Sequence, residues 1–445
     1  MIEVAGVEYL KKAAGHSAAD AREVREAVRG ILDEIEREGD AAALRFGRKF
    51  DRYDGNIVLT ADEVNAAADH VPEQLRNDIR FAWTNIRRFA EAQRQTMGEM
   101  SLEVSPGLFA GQKLIPCNTA GCYTPGGRYS HVASAMMTIT TAKVAGCKHI
   151  VACSPPKPGV GIPAAIVYTA NLCGADTILA LGGVQGIAAM AFGLLGQPAA
   201  DILVGPGNQY VAEAKRMLFG RVGIDTLAGP TNSLVLADDA ADADFVAWDL
   251  VGQAEHGYNS PVWLATTHRP LAQRVLELAP RLIASLPEDN RRNAEAAWRD
   301  FAEIIVVATR SDLVRVADAF APEHLHVQAR DTGWFLERLR CYGSLFLGEE
   351  TTVAFGDKAA GPNHVLPTNG AARYTGGLSV HKFMKVVTWQ RATRDGVKPL
   401  AASTARISRL EGMEAHARTA DIRIAKYFPD EAIDLGASKS TQVDS

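Results

Sequence analysis

Several residues pair acids, imidazoles and amides at spacings that could move protons or hold a metal. Glu323 and His324 adjoin in Ala321-Pro-Glu-His, just before an apolar run that reads as a strand. Neighbours on an extended segment point to opposite faces, so one could meet a substrate while the other serves a second step or the core. An acid beside a base becomes chemistry only where a cofactor stands nearby. Gln253 and His256 sit three apart at the end of a helical stretch and share a face. There an amide oxygen and an imidazole could bind a metal, or they form an ordinary polar pair. Asp357 follows Gly356, and His364 closes Gly361-Pro-Asn-His, both on a glycine-rich stretch that reads as a loop. Such positions often work in sites; the alternatives are an Asx-type turn for Asp357 and a structural bond for His364. Glu411 and His416 are five apart in a C-terminal helical stretch, a spacing that is not diagnostic.

Glycine-rich turns form a second set of candidates. Gly182-Gly183 and Gly205-Pro-Gly-Asn208 each follow a short apolar run and precede a helix, so their N–H groups could meet a pyrophosphate. Neither has the G-x-G-x-x-G spacing with a distal acid, and tight strand-to-helix turns use glycine anyway.

The elements that must position these residues are legible in outline. Val24, Val28, Ile31, Leu32 and Ile35 predict an amphipathic helix over 21–37, and Leu75, Ile79, Ala82, Ile86 and Phe89 a second. Pro106-Gly107 and Pro125-Gly126-Gly127 mark turns. Strands are expected at 149–153, 176–181 and 201–204, then at 233–236, 262–266, 304–308, 324–327 and 344–347, with helices between. Alternation of this kind predicts parallel α/β sheets in two nucleotide-fold-like units. The polar, aperiodic stretch 429–445 reads as a flexible tail.

Composition narrows the class. The chain has 445 residues, 47% hydrophobic and 22% charged, with 47 basic against 52 acidic residues and a net charge of −5. The signs are interleaved, so the basic face that nucleic acid requires is not expected. No apolar run approaches the length of a membrane span, and no signal-peptide pattern opens the chain. The six cysteines form no C-x-x-C pair and read as buried thiols of a cytoplasmic protein.

Taken together, Gly121-Cys-Tyr-Thr-Pro-Gly-Gly127, Gly182-Gly-Val-Gln185, Gly205-Pro-Gly-Asn-Gln-Tyr-Val211, Ile224-Asp-Thr-Leu-Ala-Gly-Pro230, Gln253-Ala-Glu-His256, Ala321-Pro-Glu-His-Leu325 and Gly361-Pro-Asn-His-Val-Leu-Pro367 resemble histidinol dehydrogenase over about residues 25–425. The resemblance implies an intertwined homodimer of two incomplete Rossmann-like parallel-sheet domains with N- and C-terminal helical segments. It places an N-terminal dimerisation segment at 1–22, a zinc- and substrate-bearing domain at 23–121 and 232–378, an NAD-binding domain at 122–231, and an exchanged segment at 379–445. It implies one zinc per subunit on Gln253, His256, Asp357 and the partner's His416, and NAD contacts at Tyr123, Gln185 and Asn208. Glu323 and His324 match the family's base pair; Thr231, His364 and Glu411 match substrate positions.

The departures lean one way. Lys358 follows the Asp357 ligand where a Tyr is common, Asn232 replaces an acid, and Gly257-Tyr-Asn-Ser-Pro261 replaces an acidic run. Arg128, His131 and His381 are basic or potentially so. Lost acids and gained cations suit an anionic alcohol better than an amino alcohol. Lys358, Asn232 and His131 are therefore candidate substrate contacts. These segments resemble the sulfopropanediol 3-dehydrogenase branch of the family, which implies four-electron oxidation of (R)-2,3-dihydroxypropane-1-sulfonate to sulfolactate with NAD; the alternative is histidinol to histidine.

Overall fold

The computed structural model describes residues 6–14, 21–126, 131–226 and 229–436. Its strands are β1 (Glu8–Lys11), β2 (Met100–Ser105), β3 (Leu108–Pro116), β4 (Thr119–Tyr123), β5 (His149–Cys153), β6 (Thr177–Leu179), β7 (Ile202–Val204), β8 (Gly223–Ile224), β9 (Ser233–Ala237), β10 (Val262–Thr266), β11 (Glu303–Val306), β12 (His324–Gln328), β13 (Ser344–Leu347) and β14 (Met384–Ala392). The chain divides into two compact units, 1–95 with 116–383, and 96–115 with 384–445.

The first unit holds two sheets, ordered β6-β5-β4-β7-β8 and β1-β11-β10-β9-β12-β13. All the pairs within the five-stranded sheet are parallel, and in the six-stranded sheet only β1 runs antiparallel. In each sheet the first of the parallel strands (β4 or β9) is central, the next two step to one side, and the chain then returns to its other side. Helices cover both faces, so β4, β9 and β12 are buried along their whole length and read as apolar runs rather than alternating ones. For the same reason the Val132–Ala145 helix is buried almost all round.

Several boundaries differ from the expectation. Val28, Leu32 and Ile35 of the Ala21–Glu38 helix share one core cluster with Leu179 and Leu203 of the five-stranded sheet and with Ile187 of the Gly183–Phe192 helix that covers it. The 21–95 helices thus belong with the sheet assigned to 122–231, because the apolar stripe of the first helix fits there. β4 crosses the expected boundary at 121, its strand character hidden by Gly121. Within the expected 1–22 segment, Glu8–Lys11 forms an edge strand on β11 of this chain. The five-residue and six-residue stretches at 1–5 and 15–20 lie outside the described residues.

In the second unit, β2 and β3 form an antiparallel hairpin turned at Pro106-Gly107, and β14 joins β3. The 379–445 segment is therefore not wholly helical. Two helices, Val397–Leu410 and Glu414–Tyr427, pack around Ala401, Ala405, Ala417 and Ile424. Ile433 and Leu435 join that cluster, and Arg406 donates to Asp434 O at 2.5 Å, so the chain up to 436 is packed rather than a loose tail. Residues 437–445 lie outside the described residues. All six cysteines are free. Among the described residues no helix is long and apolar enough to cross a membrane.

Candidate functional site

The acid–base pair lies at the N-terminal edge of the six-stranded sheet, where β9 and β12 begin side by side with Ser233 opposite His324. The Ala243–Ala254 helix leaves the other end of β9 and runs back to this edge, delivering Gln253 and His256 at its C-terminal end. The Val353–Lys358 helix does the same after β13, so Asp357 lies near a helix end and not on a loop. Two helix C-termini pointing at one place favour a cation there.

The distances bring these residues together. His256 Nε2 is 3.9 Å from Asp357 Oδ2, and His324 Nε2 is 3.5 Å from Asp357 Oδ1. His324 Nδ1 is 3.9 Å from Glu323 Oε2. Glu323, His324, Asp357 and Gln253 are buried. Asn232 clamps the pair: its N–H donates to Glu323 Oε2 at 3.2 Å and its Oδ1 accepts from Glu323 N at 2.8 Å. That occupies the amide oxygen of a residue expected to meet substrate.

Burial pushes the Glu323 carboxyl up to about 7. Burial disfavours the His324 imidazolium, but Glu323 and Asp357 outweigh it and raise His324 above its ordinary value. Burial also works against the Asp357 carboxylate, yet His324, His364 and His256 hold it well below the usual carboxylate range. His256 is lowered, chiefly by burial, which favours the neutral imidazole a metal requires. His131 is pushed to about 4 by burial, with His364, Lys358 and His256 adding to it. It is neutral near pH 7, so the cation expected there is absent. Lys358 is exposed, and its charge is felt at His131, His256 and His364.

Gln253 Oε1 is buried without a hydrogen-bond partner. Such an atom is costly unless something satisfies it. Two ligands of a tetrahedral zinc stand about 3.4 Å apart, close to the His256–Asp357 spacing. Among the described residues no three His, Cys, Asp or Glu side chains form a metal cluster. An amide, one imidazole and one carboxylate make an incomplete N/O shell, which fits a zinc whose remaining ligand comes from elsewhere.

A family model described as histidinol dehydrogenase matches residues 15–424. The chain belongs to the histidinol dehydrogenase family. It is 66% identical over 432 residues to a sulfopropanediol 3-dehydrogenase of Ruegeria pomeroyi, covering 97% of this chain and 99% of that protein. It is 39% identical over 399 residues to a histidinol dehydrogenase of Halalkalibacterium halodurans, covering 89% and 93%. The crystal structure of histidinol dehydrogenase from Elizabethkingia anophelis superposes with a TM-score of 0.87 at 34% identity, covering 93% of this chain and 95% of that one. The protein is thus a family oxidoreductase with the family's parallel-sheet α/β fold.

The residues that match the family's nucleotide contacts lie at the opposite edge of the other sheet. Tyr123 ends β4, Gln185 follows β6 and Asn208 follows β7. The nearby turn amides are already bonded within the chain. Gly183 N donates to the Tyr123 hydroxyl at 3.0 Å, and Gly205 N to Asp225 Oδ2 at 2.7 Å. Asn208 Oδ1 caps the next helix by accepting from Tyr210 and Val211. Gly183 N and Gly205 N are therefore not free for a pyrophosphate, and at these two amides the turns serve the chain's own bonding. Arg128 and Gly127 lie outside the described residues.

Other family positions are placed as follows. His364 Nδ1 faces Asp357 O at 3.0 Å and so carries the proton there, while Nε2 meets Ser134 Oγ at 3.0 Å. Both nitrogens are engaged, and the ring positions Asp357. Thr231 is half-buried just before β9. Glu411 and His416 belong to the second unit; both are exposed, at the end of one helix and the first turn of the next.

Sequence reasoning missed Asp249, four residues before Gln253 on the same helix. Its carboxylate accepts from Gln328 Nε2 at 2.6 Å and from Thr352 Oγ1 at 2.7 Å, and His326 Nδ1 lies 3.3 Å away. Thr352 caps the helix that carries Asp357, and His326 lies two residues beyond His324. One carboxylate thus ties the elements that carry Gln253, His324 and Asp357. The i,i+4 spacing to Gln253 was the available signal. Asp249→Ala is expected to lower zinc affinity about 10- to 100-fold, as loss of outer-shell partners does, measured by competition with a chromophoric chelator. Unchanged zinc affinity with a lower melting temperature would show that the network serves only the fold.

Proposed function

We propose that this protein is a zinc-dependent, NAD-linked alcohol dehydrogenase that oxidises (R)-2,3-dihydroxypropane-1-sulfonate to (R)-sulfolactate through an enclosed aldehyde. The observation that carries this reading is the buried Glu323–His324 pair against Asp357 and His256, in a chain 66% identical to a sulfopropanediol 3-dehydrogenase. Gln253, His256, Asp357 and His416 of a second copy would hold the zinc. When bound, zinc supplies a Lewis acid that orients the alcohol, and NAD supplies the hydride acceptor.

His324 takes the hydroxyl proton as the carbinol carbon loses its hydride. The adjacent carboxylates that raise its basicity make it competent for this step. Glu323 then removes a proton from water as the oxygen attacks the aldehyde carbon. A carboxyl with a pKa near 7 is poised for that transfer at neutral pH. The hydrated aldehyde loses a second hydride and becomes the carboxylate. In sum, one alcohol, one water and two NAD give one carboxylate, two NADH and three protons. Burial of both groups keeps bulk water from the aldehyde. Lys358 supplies the cation for the sulfonate.

A homodimer with shared sites accounts for the second unit. Leu410 is 82% exposed, and Ile407, Ile422, Val104 and Val386 are also exposed on that unit. A second copy would cover these exposed apolar side chains while presenting His416 and Glu411. The expected partners are then the anionic alcohol and another copy of the chain, in the cytoplasm.

The first test is NADH formation by zinc-loaded protein with the sulfonate diol and histidinol in parallel. Turnover of the diol with about two NADH per molecule is expected; turnover of histidinol alone would assign the protein to the histidine reaction. In the same assay His324→Asn should mainly slow alcohol oxidation, and Glu323→Gln should stall aldehyde conversion. Equal small losses on both steps would refute the roles. Inactive Gln253→Ala and His416→Ala chains, coexpressed, should regain about a quarter of wild-type activity if sites are shared across a two-fold. No recovery, with both variants folded, would place His416 in its own chain's site.

A further inference from the structure

The sequence lacks the acid that usually follows a dinucleotide fingerprint, but the fold brings one from outside the sheet. Residues Gly47–Asp51 form a wide helical turn directly after the Asp40–Phe46 helix. Phe46 is buried in the core cluster that contains Leu179 and Leu181, and Phe50 stacks on it at 5.7 Å. A Cβ on Gly47 would stand 2.8 Å from Leu181 Cδ2, so the backbone there lies directly against the end of β6. The turn ends with Asp51 Oδ2 accepting from Gly182 N at 3.0 Å and from Gln185 Nε2 at 3.0 Å.

The position of that carboxylate is specific. A Cβ on Gly182 would meet Asp51 Oδ1 at 2.5 Å and Pro155 Cβ at 2.7 Å. Asp51 therefore sits between the segments that leave β5 and β6, the second and third strands of the sheet. In doubly wound nucleotide folds the acid that takes the ribose hydroxyls stands at the end of the second strand. Gln185 is 2% exposed, so its amide has one setting: with Nε2 held by Asp51, Oε1 is the atom left to accept from a ligand.

We propose that Asp51 is the specificity-determining residue of the nucleotide site: it fixes the Gln185 amide and excludes a 2′-phosphate from the end of β5. This rests on the NAD reading above. A carboxylate accepts hydrogen bonds from ribose hydroxyls and repels a phosphate held against it, so one group serves both ends. Gly182 and Gly183 N–H already bond Asp51 and Tyr123, so these two donors are not free for an added phosphate.

The test is fluorescence titration of the full-length protein with NADH and NADPH, without substrate. Wild type should bind NADH more tightly. Asp51→Asn keeps the shape and an acceptor but removes the charge. It should narrow the NADPH/NADH ratio of dissociation constants about tenfold or more, through tighter NADPH binding. Asp51→Ala should weaken NADH binding about tenfold by releasing Gln185, and Gln185→Ala added to it should cost little more. Circular dichroism checks that each variant is folded, and the isosteric Asp51→Asn carries the test if Asp51→Ala is not. An unmoved ratio in Asp51→Asn, with NADH still bound, overturns this proposal alone. Wild-type protein that binds neither dinucleotide overturns this proposal and the NAD reading together.

Discussion

The Asp357 carboxylate is the charge around which the site is organised. A buried anion is tolerated only when partners surround it. Here His256 and His324 approach its two oxygens, and His364 fixes its backbone carbonyl. The same arrangement leaves His256 Nε2 and Asp357 Oδ2 3.9 Å apart, too far for a hydrogen bond, and Gln253 Oε1, on the same helix end as His256, is buried without a partner. An anion, a neutral imidazole and two helix C-termini all favour a cation in that gap.

The two sheets share a strand order but not a working edge. Tyr123, Gln185 and Asn208, which the resemblance matches to nucleotide contacts, lie beyond the C-terminal ends of β4, β6 and β7, beside the strand reversal at β4. The acid–base pair lies at the N-terminal ends of β9 and β12 instead. The connection explains how opposite edges can cooperate. Only the short stretch between Ile224 and Ser233 joins the end of β8 to the start of β9. The reach of that segment limits how far the C-terminal edge of one sheet can stand from the N-terminal edge of the other. Lys215 and Asp225 form a buried pair where that connection begins, and Lys215 also donates to Gly205 O at 3.0 Å.

Precision at the site comes from polar residues that reach across elements. Asn232 holds Glu323, Asp249 joins two helices to β12, and Asp51 reaches the end of β6 from a separate helical turn. Each is packed where its bonds exclude alternative rotamers. Their shared feature is a short side chain with two acceptor or donor directions, which can bind two elements at once.

The sequence by itself determined the class of fold and the family, and it singled out the acid, imidazole and amide residues that the fold gathers around Asp357. Apolar runs alternating with helical periods could only be parallel sheets with covered faces, and the motifs around Gln253, Glu323 and His364 are tied to chain-local turns that a sequence records directly. It did not determine which helices cover which sheet, because an apolar stripe such as that of 21–38 specifies burial and not a partner. Nor did it reveal β14, whose outward residues alternate too weakly to read, or place Asp357 on a helix, since Gly356 imitates a loop. The tertiary structure alone decided that burial lowers the His131 imidazole, that His364 bonds Ser134 and Asp357, and which elements Asp249 and Asp51 tie together. Those properties arise from burial and from contacts between residues distant along the chain, and neither is written in local spacing.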